Sequence, residues 1–445
     1  MPGTCILGAG ITGLATAWRL ARSGHHCTVL ESAPEVGGAL RSVRKDGFLT
    51  EEGPNSLQLG SPEVEDFLAS IPGLDDSIIE ARPEAKKRYI VRRGQPVAVP
   101  LHPLQLPGNK LWSMRAKLRL LREPFIPNAD PAAGESVADF TRRRLGEEFY
   151  QYAANPLVGG IYAGNPEKLS LSHAFPRLHA MEQEHGSLLR GALALQRAAR
   201  KNKARKPRKR IVTFRHGIDT LPRKIAEALG DSVRTGVSID SIQRDADSWL
   251  VEWNGKQEAF DQIIVTVPAH ALETLPFPPA LHEALTPLHQ IEYPPVSVLS
   301  LGFRRSQVAH PLDGFGLLVP ECERRKILGV LFPSSVFHGR APEDHVLLTV
   351  FTGGTRNPGQ ATADSGKLLQ AVLPELDALL GISGQPVFQH HKHWPRAIPQ
   401  YNLNHGDFLR QIEAVENNFP GLRLLGNYRN GISLTNCLSA ALDFS

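Results

Sequence analysis

Cysteine is scarce in this chain of 445 residues: there are four, at positions 5, 27, 322 and 437. They show no paired spacing and no Cys-x-x-Cys, which excludes a disulfide framework or a zinc ribbon and fits a reducing compartment. Long apolar runs are missing too. None reaches the ~18 residues that span a bilayer, and no signal sequence precedes the first strand-like run. Charge of one sign is not in large excess, because 50 Lys and Arg stand against 45 Asp and Glu, for a formal net charge of +5. No strong field therefore extends over the whole molecule. His390, His391 and His393 lie close in sequence, yet no acid or cysteine is spaced to complete a shell around them, so no metal site is expected. What remains is the composition of a folded protein, 41% hydrophobic and 21% charged, long enough for two or three domains. The expected location is cytoplasmic, either soluble or peripheral on the inner face of a membrane.

Glycine is where the sequence becomes specific. Gly8, Gly10 and Gly13 fall in Cys5-Ile-Leu-Gly-Ala-Gly-Ile-Thr-Gly-Leu, directly after a short apolar run. Glu31 closes the next one, Cys27-Thr-Val-Leu. Strand, glycines, helix, strand and acid in that order within about 30 residues form a dinucleotide-binding βαβ unit. The first glycine permits the tight turn, the second lets the backbone approach a pyrophosphate, and the third lets helix pack on strand. The helix start presents N–H groups to the anion, and Glu31 accepts from ribose hydroxyls. The pair Gly37-Gly38, with Arg41 and Ser42 beyond it, brings a second loop against the phosphates, an arrangement of the FAD type.

Further along, Lys87 to Val99 alternates apolar and basic residues around a glycine turn and reads as a hairpin. From about 111 to 197 the periodicity is helical, and a helix is expected from Asn109 to Arg122. Its Lys110, Arg115, Lys117, Arg119 and Arg122 stand beside Leu111, Trp112, Met114, Leu118 and Leu121, a pattern that suits either an interfacial helix or an ordinary amphipathic one. Residues 200–210 hold eight basic residues in eleven and read as a solvated loop, with no nucleic-acid fold beside it. Strand-like runs resume at 210–214, and those at 232–242, 249–253 and 263–267 then return to the nucleotide sheet. Leu424-Leu-Gly-Asn-Tyr-Arg-Asn-Gly-Ile-Ser-Leu supplies a second glycine-bearing strand-to-helix turn, so the nucleotide domain is discontinuous.

Several blocks carry a resemblance: Gly-Gly-Ala-Leu-Arg-Ser at 37–42, Glu52-Gly-Pro-Asn-Ser, Arg88-Tyr-Ile, Gly160-Ile-Tyr-Ala-Gly-Asn-Pro-Glu-Lys-Leu-Ser, Leu328-Gly-Val-Leu-Phe, Gly339-Arg-Ala-Pro and Gly426-Asn-Tyr. In this order, over nearly the whole chain, they resemble the oxygen-dependent, FAD-containing protoporphyrinogen oxidases of the amine-oxidase superfamily. The block at 160–170 is the most specific. The sequence departs from the family pattern at Tyr401-Asn-Leu-Asn-His, where Asn404 replaces a glycine, and at Phe337-His-Gly, where the family has Phe-Pro-Asn.

The resemblance implies an α/β architecture: a discontinuous, Rossmann-like, glutathione-reductase-type FAD domain (1–75, 207–270, 415–445), a mixed α+β substrate domain (76–97, 271–414), and an α-helical membrane-associating domain (98–206). Carried over by residue, non-covalent FAD would meet Gly8, Gly10, Ile11, Thr12, Gly13, Glu31, Ser32, Gly37, Gly38, Ala39, Arg41, Gly53, Pro54 and Asn55. It would also meet Val237 near the adenine, and Gly426, Ile432, Ser433 and Leu434 near the flavin ring. Arg88 would pair with a substrate propionate, Gly159 and Gly160 would line the pocket, Phe337 would stack on a pyrrole ring, and Leu317 and Leu318 would lie nearby. The implied reaction is six-electron oxidation of protoporphyrinogen IX, with O2 reduced to hydrogen peroxide and no protein general base assigned. The alternatives are a coproporphyrinogen III oxidase, and an amine oxidase or carotenoid desaturase on the same scaffold. Expected partners are the porphyrinogen, O2 and a membrane surface; a homodimer is left open and nucleic acid is discounted.

Overall fold

The computed structural model describes residues 3–130, 134–201, 209–245 and 247–444. Most of the basic run at 200–210 lies outside the described residues.

Two seven-stranded sheets organise the chain. In the first, strand β1 (Gly3–Leu7), helix α1 (Ile11–Arg22) and strand β2 (Cys27–Leu30) follow one another, with β1 and β2 parallel. The long strand Lys256–Val265 pairs in parallel with β1, and Leu422–Leu424 adds to its other side. Two antiparallel strands, Ser248–Trp253 and Ile239–Asp245, extend the sheet outward, and Val233–Arg234 closes the far edge beside β2. β1 and β2 are apolar along nearly their whole length because helices cover both faces of a parallel sheet. On one face α1 packs with Thr220–Leu229 and Leu434–Asp443; on the other, Ile263, Val265, Trp249 and Phe260 meet Leu281 and Ile412.

The second sheet runs in the order Phe388–Trp394, Val296–Arg304, His345–Gly353, Gly329–Leu331, Gly314–Leu318, Lys87–Arg92, Gln95–Ala98. One face is sealed by the helix Ser365–Leu380, which buries Leu368, Val372 and Leu376. The Asp364 carboxylate caps its start by accepting from Lys367 N–H, and Gly381 ends it at φ 60°, the left-handed turn that favours glycine. The opposite face looks towards the first sheet.

Between the strands of the second sheet the chain makes a mostly helical excursion that includes Val137–Arg144, Asn155–Tyr162 and Pro176–His185. Here the expected helix from Asn109 to Arg122 is corrected. The α-helix covers only Met114–Arg119, because the Ser113 hydroxyl accepts from Ala116 N–H as its N-cap. A 3-10 turn, Leu120–Phe125, then carries Pro124, which cannot donate to a helical ladder. Leu111 is buried outside the helix, whereas Met114, Leu118 and Leu121 are exposed.

Candidate active site

The chain leaves β1 at Gly8, whose φ of 103° suits glycine, and enters α1 with Gly10 as N-cap. A Cβ on Gly13 would collide with the Gly8 carbonyl oxygen, whereas a Cβ on Gly10 would meet nothing within 4 Å. The third glycine is therefore needed for packing, and the second faces open space. Gly37 donates to the Ala9 carbonyl at 2.8 Å and forms a parallel bridge with Gly10, which brings the second glycine pair against the first turn. α1 has no side-chain cap and no acid in its first turn. Its leading N–H groups and positive dipole end are left for an anion. At the end of β2 the Glu31 carboxylate accepts from Ala9 N–H at 2.7 Å and Ala33 N–H at 2.8 Å, with Ser32 Oγ at 3.4 Å. Val237 N–H donates to the Glu31 carbonyl at 2.9 Å. An anion cradle with a carboxylate at the end of the second strand fits the pyrophosphate and ribose of a dinucleotide.

From this cradle a cavity of about 940 Å³ opens between the two sheets. Of the residues named from sequence, Gly38, Ala39, Arg41, Gly53, Pro54, Asn55, Ile432, Ser433 and Leu434 line it on one side, and Gly159 and Gly160 on another. Gly8, Gly10, Ile11, Thr12, Gly13, Glu31, Ser32, Gly37 and Val237 lie around the first glycine turn, outside the cavity wall. Gly426, at φ 152°, follows the strand Leu422–Leu424, and its neighbour Asn427 is in the wall.

Four residues expected at the substrate are not in the cavity wall. Leu317 is buried in the core on the helix-covered face of the second sheet, because successive strand residues point to opposite faces. Leu318, on the other parity, packs under Gly160 and not in the wall. Phe337 is buried beside a small neighbouring void, lined also by Glu51 and Arg340, that shares Asn55, Phe315 and Leu331 with the cavity wall. Arg88 is exposed and donates to the Lys86 carbonyl at 2.9 Å. Its guanidinium lies 5.0 Å from the ring centroid of Phe315, which does line the cavity, so Arg88 reaches it only through that ring.

The sequence reading missed the wall contributed by the strand Phe388–Trp394. Alternation aims His391 and His393 at Ser297 Oγ, at 2.9 and 3.5 Å. The other parity meets Glu52: His390 Nε2 at 2.9 Å and Lys392 Nζ at 3.4 Å reach its carboxylate, and Trp394 Nε1 donates to its carbonyl at 2.7 Å. Lys392, Trp394 and Glu52 line the cavity. Arg396, Pro268, His270 and Tyr293 were missed as well. The position of Pro268 just past the carboxyl end of the strand Lys256–Val265 was the available signal, because ligands of open α/β sheets bind there.

Most of the remaining wall is apolar, including Val296, Val298, Leu328, Phe351, Ile161 and Ile398. Burial lowers the His270 pKa, with help from the nearby Arg396 charge, and burial raises that of Tyr293; both are neutral near pH 7. Asn55 Oδ1 and His270 Nδ1 are buried without hydrogen-bond partners, so each is left to a ligand. The wall can thus hold a flat apolar body, offer cations to carboxylates, and keep water away from most of the surface in between.

A family model described as flavin containing amine oxidoreductase matches residues 11–440. The chain is 34% identical to protoporphyrinogen oxidase 2, chloroplastic/mitochondrial, of Arabidopsis thaliana, across 96% of this chain and 90% of that protein. Identity to the coproporphyrinogen III oxidase of Bacillus subtilis (strain 168) is 25%, across 97% and 95% of the two chains. A crystal structure of "Putative protoporphyrinogen oxidase from Exiguobacterium sp. 255-15" superposes with a TM-score of 0.81 at 24% identity, covering 99% of this chain and 96% of that one; that likeness speaks to the fold.

Proposed function

This chain belongs to the flavin-containing amine oxidoreductases and is an FAD-dependent oxidoreductase, and on that premise we propose that it oxidises protoporphyrinogen IX to protoporphyrin IX. The observation that carries the reading is the one continuous cavity: it joins the segments 38–41, 53–55 and 432–434 to an apolar sheet face with Arg396 in its wall. A porphyrinogen is an apolar macrocycle with peripheral carboxylates, and that wall is complementary to it. The higher identity to a plant protoporphyrinogen oxidase than to a bacterial coproporphyrinogen III oxidase favours the substrate with two propionates over the one with four.

Bound FAD supplies the hydride acceptor, and the protein supplies position and environment. The cradle at the start of α1 and Glu31 fix the dinucleotide end, and the residues named above at 38–41, 53–55 and 426–434 face the ring end. Val296, Val298, Leu328 and Phe351 hold the macrocycle against that end, where a near-attack geometry replaces a bimolecular encounter. Arg396, in the wall, offers a planar guanidinium fork to a carboxylate, and Arg88 would have to swing past the Phe315 ring to offer a second. Six electrons leave the substrate in three two-electron steps, and three O2 become three hydrogen peroxide. Between steps the macrocycle must turn, which an apolar wall permits because it makes few directional bonds.

We read 1–75, 207–270 and 415–445 as the FAD domain, 76–97 and 271–414 as the substrate domain, and 98–206 as a helical domain resting on a membrane. What supports the membrane face is the outward display of Leu104, Leu121 and Phe125 together with exposed Arg115 and Arg122, the mixture that interfacial segments use. Among the described residues no helix is long and apolar enough to cross a membrane.

Anaerobic mixing of the FAD-loaded protein with protoporphyrinogen IX, and separately with coproporphyrinogen III, tests the reading. Rapid bleaching of the oxidised-flavin band by the first and slower bleaching by the second is expected. Bleaching by neither refutes it.

A further inference from the structure

Three parts of the structure meet at Tyr401. Its backbone carbonyl accepts from Ser170 N–H at 2.8 Å, which ties it to the helical excursion. Three residues earlier, Ile398 lines the cavity. The phenol reaches across to the loop between Leu424 and Leu434: Tyr401 Oη accepts from Gly431 N–H at 2.8 Å and donates to the Asn427 carbonyl. One hydroxyl thus closes a span of four residues from both ends. Gly431 has φ 107°, a conformation the loop cannot delegate to most other residues. Asn427, Ile432, Ser433 and Leu434, on either side of that clasp, line the cavity.

The phenol is held from behind. The His405 ring stacks on the Tyr401 ring at 4.0 Å and 16°, and Tyr162 meets it edge-on at 6.1 Å. His405 is fully buried with neither ring nitrogen hydrogen-bonded, so it serves as a flat packing surface. Asn404, where the sequence departs from the Tyr-x-x-Gly-His pattern of the resemblance, takes φ −84°. That is ordinary backbone for any residue, so the substitution leaves the clasp intact.

We propose that Tyr401 is a positioning residue that latches the 426–433 loop in its cofactor-binding shape, so that the substrate-side segment 398–401 and the flavin-side loop move as one. The proposal rests on reading 426–434 as the flavin-ring segment, and it goes beyond that reading by assigning the loop's shape to a single hydroxyl.

Tyr401→Phe keeps the stack on His405 and removes both hydrogen bonds. Amide hydrogen exchange at Gly431 in the FAD-free protein should quicken at least tenfold, FAD should dissociate at least tenfold more readily, and the flavin midpoint potential should shift. Tyr162→Phe is the control: its hydroxyl bonds the Ala174 carbonyl instead, and none of the three readouts should move. Unchanged Gly431 exchange in Tyr401→Phe overturns the latch, as do equal effects in both variants, which would reduce Tyr401 to general packing. Faster exchange with FAD affinity and potential unchanged overturns the reading of 426–434 as a flavin segment, and with it the cofactor role of the latch.

Discussion

The nucleotide sheet and the helical excursion differ in what they bury beside their apolar cores and in what they leave exposed. Around β1, β2 and α1 the interior is apolar: Ile6, Leu14 and Val29 have no exposed surface. In the excursion the apolar clusters around Leu111, Trp112 and Phe149 and around Val137, Val158 and Leu169 are joined by a buried ionic one. Arg144 has none exposed either, and its guanidinium binds Glu182 Oε1 at 2.6 Å, Asn128 Oδ1 at 2.6 Å and the Ile126 carbonyl at 3.0 Å. The equally buried Glu123 accepts from Ser187 Oγ and from the Leu188 and Leu189 N–H groups. Burial alone would raise the Glu182 pKa, yet Arg143 and Arg144 hold it below the usual carboxylate range. Conversely, eleven of the thirteen large apolar side chains exposed among the described residues lie between Leu101 and Leu195, led by Leu104 at 93% and Phe125 at 81%. In the excursion, buried ion pairs thus coexist with most of the large apolar side chains exposed among the described residues.

The sharpest way to break this contrast is Arg144→Ala, which strands Glu123 and Glu182 without their buried partner. A loss of about 3–5 kcal/mol is expected by denaturant titration. A loss below ~1 kcal/mol would mean that the excursion is held by its apolar contacts after all. In the nucleotide sheet the matching lesion is Gly13→Val, which drives a side chain into the Gly8 carbonyl. FAD content should fall by at least tenfold, read from the flavin absorbance of the purified protein. Phe125→Glu should leave stability within about 0.5 kcal/mol. It should nevertheless weaken binding to vesicles containing anionic lipid by roughly tenfold, the scale of one large apolar side chain lost from an interface. Unaltered vesicle binding would remove Phe125 from the contact face.

The least direct effect on the comparison concerns pH. Burial depresses the His405 pKa from 6.5 to about 3, so the unfolded chain takes up a proton that the folded one refuses. Its stabilising contribution is complete above pH 6.5 and is lost as pH falls towards 3, at up to ~1.4 kcal/mol per pH unit. His405→Phe should flatten that part of the acid limb in a series of unfolding curves between pH 6.5 and 4. An unchanged slope would assign it to other histidines.

How much of this could be read from the sequence depends on how local each constraint is. The order strand, glycine turn, helix, strand from Cys5 to Glu31 was legible because each glycine answers a backbone requirement within a few residues. The hairpin at 87–98 was legible for the same reason. The cavity wall at Lys392, Trp394 and Glu52 was not. Which parity of the strand Phe388–Trp394 faces the cavity is decided by its register with Val296–Arg304, nearly a hundred residues away. Leu317 and Phe337 were carried over by resemblance, and each occupies a position whose direction is set by its own sheet parity or by a neighbouring turn. The Asn109–Arg122 helix was overextended because apolar spacing outweighed Ser113 as a cap and Pro124 as a stop.

The central claim is best tested by following porphyrin fluorescence while the FAD-loaded protein acts in air on protoporphyrinogen IX and, in a parallel sample, on coproporphyrinogen III, each corrected for autoxidation without protein. The account predicts enzyme-dependent protoporphyrin formation with a higher kcat/KM than for the four-propionate substrate, accompanied by hydrogen peroxide. Flavin-loaded protein that accelerates neither oxidation would contradict it, and a preference for coproporphyrinogen would overturn the choice of substrate.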